Sequence, residues 1–291
     1  MTTPAIGDAL GPRGRRRVAV ASAVAVAVLA VALVAAVNRL HTKGQLDADL
    51  WEPFRHWGVW RFLLFTGLRN TLRAAGVAMV LALVLAVVLA LGRLSKRRPV
   101  RWLAGAYIEF FRSMPLLLLI LFSFLALPKY GVDLSIYGYL VLALVVYNAA
   151  VLGEIFRAGI LSLDPGQTEA ANAIGLSYAQ TMALVVLPQA FRRMIPAIVS
   201  QLVTLLKDTS LGFVIGYEEL LRTANSTGAY YHDILQSLVV VAGVYIAVNL
   251  SLSRVAHRLE VRQRRRFGAG AMAVSGVEDL ALVDAAGRAD R

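Results

Sequence analysis

The sequence predicts an all-α integral membrane protein with six transmembrane helices. Of its 291 residues, 58% are hydrophobic and 16% are charged, whereas about 25% of residues are charged in a typical soluble domain. Six stretches approach the roughly 20 apolar residues that cross a bilayer as a helix. The formal net charge is +12, and the basic residues collect in particular segments between those stretches. Together these observations exclude an ordinary soluble domain.

The six predicted spans differ in how clearly the sequence marks them. They cover residues 18–37, 74–92, 114–127, 136–153, 194–216 and 234–252. The first follows a cluster of arginines, so a signal peptide is an alternative, but its apolar run exceeds the roughly 7–15 residues of a signal-peptide core. The third is short, and residues 102–111 extend it as an amphipathic entry from the cytoplasm. The fifth contains two charged residues, Lys207 and Asp208.

The basic residues predict the orientation of the spans, because Lys and Arg collect in short cytoplasmic loops. If both termini are cytoplasmic, 20 of the 30 Lys and Arg residues lie in inner segments and 8 in outer segments. The net charge is therefore interpreted as a topology signal and not as a nucleic-acid interface. Both termini are predicted to be cytoplasmic.

This topology divides the chain into three parts. Residues 1–65 hold a cytoplasmic tail, the first helix and part of an outer interfacial helix predicted over the aromatic-rich residues 51–71. Residues 66–254 form the transmembrane domain. Residues 255–291 are predicted to be a basic and then disordered cytoplasmic tail.

A long inner loop, residues 154–193, is predicted to contain two short helices. Asp164 is the expected N-cap of the first, with Pro165 at the first helical position and Gln167 at the capping-box position. Gly175 occupies the position where a left-handed residue ends a helix. The sequence thus predicts a short helix that leaves through a sharp glycine turn.

The second short helix begins with another capping-box pattern, Ser177 to Gln180, and Pro188 is expected to end it. The first helix carries a face of small side chains with Glu169 near its positive end. Such a helix packs on its own bundle or inserts into a cytoplasmic partner, and the spacing alone leaves both alternatives open.

The loop over about residues 164–188 resembles the EAA loop of ATP-binding cassette import permeases. The spacing is EAA-x3-G-x9-V-x-L-P, where the family usually has Ile in place of Val185. Flanking stretches at 107–117, 153–160 and 207–211 resemble the polar amino acid branch of that family. By this resemblance the ATPase-coupling positions are Gln167, Glu169, Ala170, Ala171, Gly175, Leu187 and Pro188.

The resemblance implies a multi-pass permease subunit in the bacterial cytoplasmic membrane that imports a polar amino acid. Glutamate is the first expectation and glutamine the second, because the chain is similar to glutamate permease subunits of actinobacterial type. The implied partners are a cytoplasmic P-loop ATPase dimer, a second permease subunit, identical or homologous, and an extracytoplasmic amino acid-binding protein. ATP and Mg are expected on the ATPase.

The chain itself is expected to bind no cofactor and to be no enzyme. Its sequence contains no G-x-x-x-x-G-K-[ST] motif that would cradle ATP phosphates. It also contains no cysteine, and its four histidines show no short metal-ligand spacing. No catalytic residue and no metal site are predicted.

The charges at membrane depth are the candidates for a substrate path, because ionisable side chains in a bilayer face protein or water-filled cavities. Lys207 and Asp208, followed by Thr209 and Ser210, form either an interfacial ion pair or a broken helix that lines the path. Asn148 is expected to make a helix–helix hydrogen bond or to contact the substrate.

Two pairs of opposite charge three residues apart are predicted to be structural ion pairs at the inner membrane surface. They are Glu154 with Arg157 and Glu109 with Arg112. A transporter of another class is the main alternative function, namely a proton-coupled secondary amino acid transporter in which Asp208 or Glu154 carries the proton.

Overall fold

A computed structural model describes residues 11–255 and Arg258, and every regular element in this part of the chain is helical. We number the helices α1 to α9 in chain order. They are α1 (Pro12–Thr42), α2 (Trp57–Leu94), α3 (Arg98–Ser113), α4 (Leu116–Tyr130), α5 (Ile136–Leu161), α6 (Pro165–Ala173), α7 (Tyr178–Ile215), α8 (Leu220–Tyr231) and α9 (Ile234–Val255).

Five of these helices, α1, α2, α5, α7 and α9, are long and apolar enough to cross a membrane. The number rises to six if α3 and α4 form one span with a bend of 100° between them. The bend lies at Met114 and Pro115, which are both extended, because a proline disfavours helical geometry in the residue before it. The predicted class, an all-α protein with up to six spans, is confirmed, while the cytoplasmic location of the termini remains a prediction.

The core is the contact between α2 and α5. One face of α2 carries alanines at four-residue intervals, Ala74, Ala78, Ala82 and Ala86, each with no exposed surface. Small side chains let helix backbones approach closely within a membrane. The approach is tightest at Gly153 of α5, where an added Cβ would lie 3.3 Å from the Cβ of Leu89 and 3.6 Å from the carbonyl oxygen of Ala86.

Helix α1 contains the first predicted span, and its apolar part runs from Val18 to Val37 between basic residues at both ends. None of its most apolar 18-residue window is buried against the rest of the described chain. A hydrogen bond ties the segment just after α1 to α9, because the Nε2 atom of Gln236 donates to the carbonyl oxygen of Gln45 at 2.5 Å. The contact joins the ends of two predicted spans on the predicted outer side.

The structure differs from the predicted interfacial helix at residues 51–71. A 3-10 helix covers Ala48–Arg55, and α2 then begins at Trp57 and continues through a π-helical segment, Phe62–Leu68. Helix α8 packs closely on that segment, since a Cβ on Gly67 would lie 3.0 Å from the Cα of Leu220. From Trp57 onward the aromatic segment therefore belongs to the same continuous helix as the second predicted span.

The structure also corrects the prediction that Pro188 ends the second loop helix. That helix continues as α7 from Tyr178 to the end of the fifth span. A π-helical segment, Thr181–Val186, comes directly before Leu187, and Pro188 lies in the first turn of the α-helical part that follows. Proline is tolerated in a first turn, and the wider π turn interrupts the regular ladder that its ring would break.

The predicted disorder of the C-terminal tail falls on residues that lie outside the described part of the chain, as does the N-terminal decapeptide. The division at residues 65 and 254 stays a prediction.

Candidate functional site: the cytoplasmic loop and the charges at membrane depth

The beginning of α6 is held by Asp164. Its Oδ1 atom accepts the backbone N–H of Gly166 at 2.8 Å, and Pro165 follows at the first helical position. The predicted capping box with Gln167 is wrong. The Oε1 atom of Gln167 instead accepts a hydrogen bond from the Nε2 atom of Gln189 at 3.0 Å, so this side chain joins α6 to α7.

The end of α6 is the predicted glycine turn. Gly175 has a φ of +82°, in the left-handed region that favours glycine. Its N–H donates to the carbonyl oxygen of Asn172 at 3.0 Å, and the N–H of Leu176 donates to that of Ala171 at 3.2 Å. These two bonds form a Schellman motif, which satisfies the last carbonyl groups of the helix and fixes the direction in which the chain leaves.

The turn leads directly into the start of α7, where Ser177 and Gln180 form the predicted capping box. The Oε1 atom of Gln180 accepts the backbone N–H of Ser177 at 2.9 Å, and the Oγ atom of Ser177 accepts that of Gln180 at 3.5 Å. Arg193 adds a brace from further along α7, because its Nη1 atom donates to the carbonyl oxygen of Ser162 at 2.8 Å. The loop is thus positioned by both neighbouring spans.

The faces of α6 have different environments. Ala171 is 4% exposed and packs against the chain's own bundle. Glu169, Ala170 and Ala173 are exposed, and Ile174 at the end of the helix has 78% of its surface exposed. An exposed isoleucine beside small side chains forms a surface that another protein can cover at short distance. The helix therefore packs on its bundle with one face and leaves the opposite face uncovered.

The two remaining motif residues, Leu187 and Pro188, line an apolar cavity of about 310 Å³ between α2, α5 and α7. Phe156 and Ile160 of α5 line the same cavity. Leu187 is half-buried and Pro188 is exposed, and both lie against this cavity, whereas Glu169 and Ala170 lie on the outer surface of α6.

Asn148 is fully buried in α5, and both ends of its amide are engaged. Its Nδ2 atom donates to the carbonyl oxygen of Leu144 at 2.8 Å, and its Oδ1 atom accepts from the Nε2 atom of Gln201 at 2.8 Å. Gln201 belongs to α7, so Asn148 makes a helix–helix hydrogen bond. This is the first of its two predicted roles, the other being a substrate contact. Sequence reasoning overlooked Gln201, although it is an amide inside an apolar span.

The backbone changes at the charges of the fifth span. The α-helical part of α7 ends at Asp208, and a 3-10 segment covers Thr209–Ile215. Lys207 is exposed, Asp208 is partly buried, and neither forms an ion pair within the described part of the chain. The hydroxyl groups of Thr209 and Ser210 donate to the carbonyl oxygens of Leu206 and Lys207, both at 2.7 Å.

One of the two predicted structural ion pairs is present. Arg157 and Glu154 form the pair that their spacing predicts, with the Nη2 and Oε1 atoms 2.5 Å apart. The other prediction is wrong, because Glu109 pairs with Arg93 of α2 at 2.7 Å and not with Arg112. The reason lies in α3: Gly105 has no side chain, which leaves room for the Arg93 guanidinium to lie across the helix.

A buried carboxyl group that the sequence analysis did not select lies at the start of α8. Glu219 accepts hydrogen bonds from the backbone N–H groups of Leu221 at 2.7 Å and Arg222 at 2.8 Å, and from the hydroxyl of Tyr245 at 2.9 Å. Burial nevertheless raises the pKa of Glu219 above its usual range. An acidic residue immediately before an apolar helical stretch was the signal that could have identified it as an N-cap.

The described residues contain no group of three or more His, Asp or Glu side chains that could hold a metal ion. The arrangement provides a helix with one uncovered face at the bundle surface and a conformational break beside two charges within a predicted span.

The chain matches the sequence profile of binding-protein-dependent transport system inner membrane components over residues 82–265, which is more than half of its length. The chain belongs to this family. It is therefore a multi-pass protein of the cytoplasmic membrane and a permease subunit of an ATP-binding cassette importer. The family description gives no support to the proton-coupled alternative.

Relatives of this permease agree with the family. The glutamate transport system permease protein of Corynebacterium glutamicum is 41% identical over 229 residues, which are 78% of this chain and 84% of that protein. A probable glutamine ABC transporter permease protein of Bacillus subtilis is 42% identical over 206 residues, covering 69% of this chain and 93% of the relative. The glutamate/aspartate import permease of Escherichia coli O157:H7 is 36% identical, covering 68% of this chain and 92% of the relative.

The fold is also similar to solved structures. The crystal structure of an amino acid ABC transporter with histidines has a chain that superposes with a TM-score of 0.64 at 29% identity, covering 70% of this permease and 94% of that chain. A methionine ABC transporter in an inward-facing conformation superposes with a TM-score of 0.51 at 20% identity, covering 69% and 94%, and shows the shared fold alone.

Proposed function

We propose that this permease carries glutamate, with glutamine as the second candidate, and that ATP hydrolysis on a partner protein drives the transport. The names of the relatives support the substrate, since a glutamate permease and a probable glutamine permease are 41% and 42% identical to this chain. The uncovered face of α6 supports ATP hydrolysis as the energy source, because it offers a surface to which a partner ATPase can bind.

In this proposal α6 is the coupling helix. Its outer face, with Glu169 and Ala170, inserts into a cleft of a cytoplasmic P-loop ATPase, where ATP and Mg are bound. A helix capped at both ends transmits a displacement without unravelling, and the bonds of Gln189 and Arg193 tie the loop to α7. Movement of α6 with the ATPase is thereby passed to the span that contains Lys207 and Asp208.

The break at the end of the α-helical part of α7 is proposed to line the substrate path. Asp208 attracts the α-ammonium group of the amino acid, and Lys207 attracts a carboxylate. The hydroxyl oxygen of the partly exposed Ser210 accepts a hydrogen bond, because its own proton is engaged with a backbone carbonyl, whereas the fully buried Thr209 supports the break through its bond to Leu206. Asn148 supports this region by holding α5 to α7.

Three partners complete the importer in this proposal. They are an ATPase dimer, a second permease subunit, identical or homologous, and an extracytoplasmic amino acid-binding protein. This permease contributes no catalytic residue of its own. Co-purification of this permease with all three partners tests the assembly, and isolation of the permease without an ATPase or a second permease would contradict it.

The substrate is tested by uptake of labelled glutamate into proteoliposomes that contain the complete importer. We expect unlabelled glutamate to compete best and glutamine next, and arginine to compete poorly. Better competition by arginine than by glutamate contradicts the proposed substrate while leaving the importer class intact.

The path residues are tested in the same assay with Asp208→Asn. We expect uptake to fall about tenfold or more, because a hydrogen bond to a charged group contributes about 1.5–3 kcal/mol. Asp133→Asn is the matched control, since Asp133 is exposed in the loop before α5. Equal uptake by the two variants removes Asp208 from the path.

A further inference from the structure

A basic cavity of about 730 Å³ lies outside both the loop and the substrate path. It occupies the place where α2 ends, α3 begins and α5 approaches its last turn. Four guanidinium groups, one indole ring and one aliphatic side chain surround it. These residues are Arg93, Leu94, Arg98, Arg101, Trp102 and Arg157.

The positive charge of this cavity is only partly compensated. Arg93 and Arg157 are paired with carboxylates, at 2.7 Å and 2.5 Å, which hold their guanidinium groups in place. Arg98 and Arg101 have no carboxylate within 4.0 Å in the described part of the chain. The Nη1 atom of Arg101 donates only to a backbone carbonyl, that of Ser95, at 3.4 Å. Both side chains are exposed, so an anionic occupant of the cavity can reach these two charges and balance them.

The amphipathic character of α3 fits a position of the cavity at the surface of the bilayer. Ala104, Gly105 and Ile108 of this helix are buried against the bundle. On its outer side Trp102 and Leu103 have 71% and 63% of their surface exposed. The 100° bend before α4 turns α3 towards the membrane plane if α4 crosses the bilayer. An amphipathic helix in that position lies among the lipid headgroups, where tryptophan is favoured.

We propose that this cavity binds the phosphate headgroup of an anionic phospholipid from the inner leaflet. Arg98 and Arg101 bind the phosphate oxygens, because a guanidinium group donates two parallel hydrogen bonds to phosphate. Trp102 and Leu94 contact the glycerol and the first methylene groups of the acyl chains. Basic pockets between helices at the cytoplasmic side suit such headgroups.

The test measures lipid binding to the purified importer complex by native mass spectrometry, with phosphatidylglycerol and phosphatidylcholine as probes. We expect the wild-type protein to prefer phosphatidylglycerol. Arg98→Gln with Arg101→Gln should weaken its binding about 100-fold, because each lost guanidinium–phosphate contact, a hydrogen bond to a charged group, weakens binding about tenfold. Arg98→Lys with Arg101→Lys should weaken it less, because the charge remains and the paired donors are lost.

The matched control is Lys96→Gln with Arg97→Gln. It removes the same charge from the same segment, but neither residue lines the cavity, and the Nζ atom of Lys96 lies 5.7 Å from the ring centre of Tyr178. We expect less than about a threefold change in phosphatidylglycerol binding, because neither side chain lines the cavity that would hold the phosphate.

Four outcomes overturn the proposal. Equal losses in the two glutamine variants would mean that net charge, and not the cavity, attracts the lipid. Equal binding of phosphatidylcholine would remove the anionic selectivity. Displacement of phosphatidylglycerol by millimolar inorganic phosphate would identify a site for free anions. Loss of ATPase from the Arg98→Gln, Arg101→Gln complex with lipid binding retained would assign the cavity to the protein partner.

Discussion

The amide pair between Asn148 and Gln201 shows how single residues join the spans. Both groups lie within apolar helices, where an unsatisfied polar atom is costly, and the Nε2 atom of Gln201 satisfies the buried Oδ1 atom of Asn148. The bond fixes the rotation of α7 relative to α5. The same rotation sets the direction in which Lys207 and Asp208 project, six and seven positions after Gln201.

Gln201→Leu should destabilise the permease. The Oδ1 atom of the fully buried Asn148 loses its donor, at an expected cost of about 1–3 kcal/mol. The measurement is the thermal unfolding midpoint of the purified complex, with Thr204→Val on an exposed position of the same helix as the control. An unchanged midpoint together with a raised KM for transport would instead make the amide pair a substrate contact.

The sequence predicts Asn148 but not its partner, and the reason is physical. A polar residue within a run of apolar residues is easily recognised, so the sequence identifies Asn148 and Asp208 as candidates. Which group it bonds to depends on how two helices are rotated about their axes, and that rotation is set by packing over the whole contact. Glu109 illustrates the same limit, because the i,i+3 rule suggests Arg112 while the space beside Gly105 admits Arg93.

At the scale of the elements, α6 is specified almost completely by local rules. Its N-cap, first-turn proline and left-handed glycine are all read from neighbouring residues, and the structure places each of them as expected. Helix α7 is different. Helix α7 continues through Pro188 because a π-helical segment precedes that residue. The pattern of apolar residues does not distinguish a π-helical turn from an α-helical one.

Gly175→Val should uncouple α6 from the ATPase while membrane insertion survives. A branched side chain at a φ of +82° is strained, since left-handed geometry costs an L-residue roughly 1–2 kcal/mol, and the exit from α6 must rearrange. The measurement is the amount of ATPase that co-purifies with the permease. Gly76→Val is the control, because Gly76 is helical and no heavy atom lies within 4 Å of its added Cβ.

Glu169→Lys tests the charge at the proposed interface without straining the backbone. The side chain is exposed, so the fold should be preserved while the fraction of bound ATPase falls. Glu218→Lys, which reverses the charge of an exposed residue on the predicted outer side, should leave ATPase binding intact. Undiminished ATPase binding by Glu169→Lys would remove this face of α6 from the interface.

Ala82→Leu tests the contact that forms the core. Ala82 has no exposed surface, and overpacking a closely packed core position costs typically about 1–3 kcal/mol. We expect a lower unfolding midpoint for this variant. Val80→Leu, on the exposed side of the same helix, should have no effect. Equal midpoints for the two variants would contradict the alanine-lined contact between α2 and α5.

At the scale of the whole molecule, the hydrophobic pattern predicts the number and class of the spans because the bilayer fixes their length. The pattern also predicts the inner loop. It does not predict the 100° bend between α3 and α4 or the full length of α2, since these depend on contacts between distant segments such as α8 and the π-helical part of α2. The substrate is likewise a property of the assembled path and of the binding protein that delivers it.

The source of energy tests the importer assignment most directly. Proteoliposomes that contain the permease, its partner permease, the ATPase and the binding protein are loaded with ATP or with a non-hydrolysable analogue, and uptake of labelled glutamate is measured. We predict accumulation with ATP alone, no accumulation with the analogue, and no response to collapse of the proton gradient. Uptake that continues without ATP and stops when the proton gradient is collapsed would contradict the assignment.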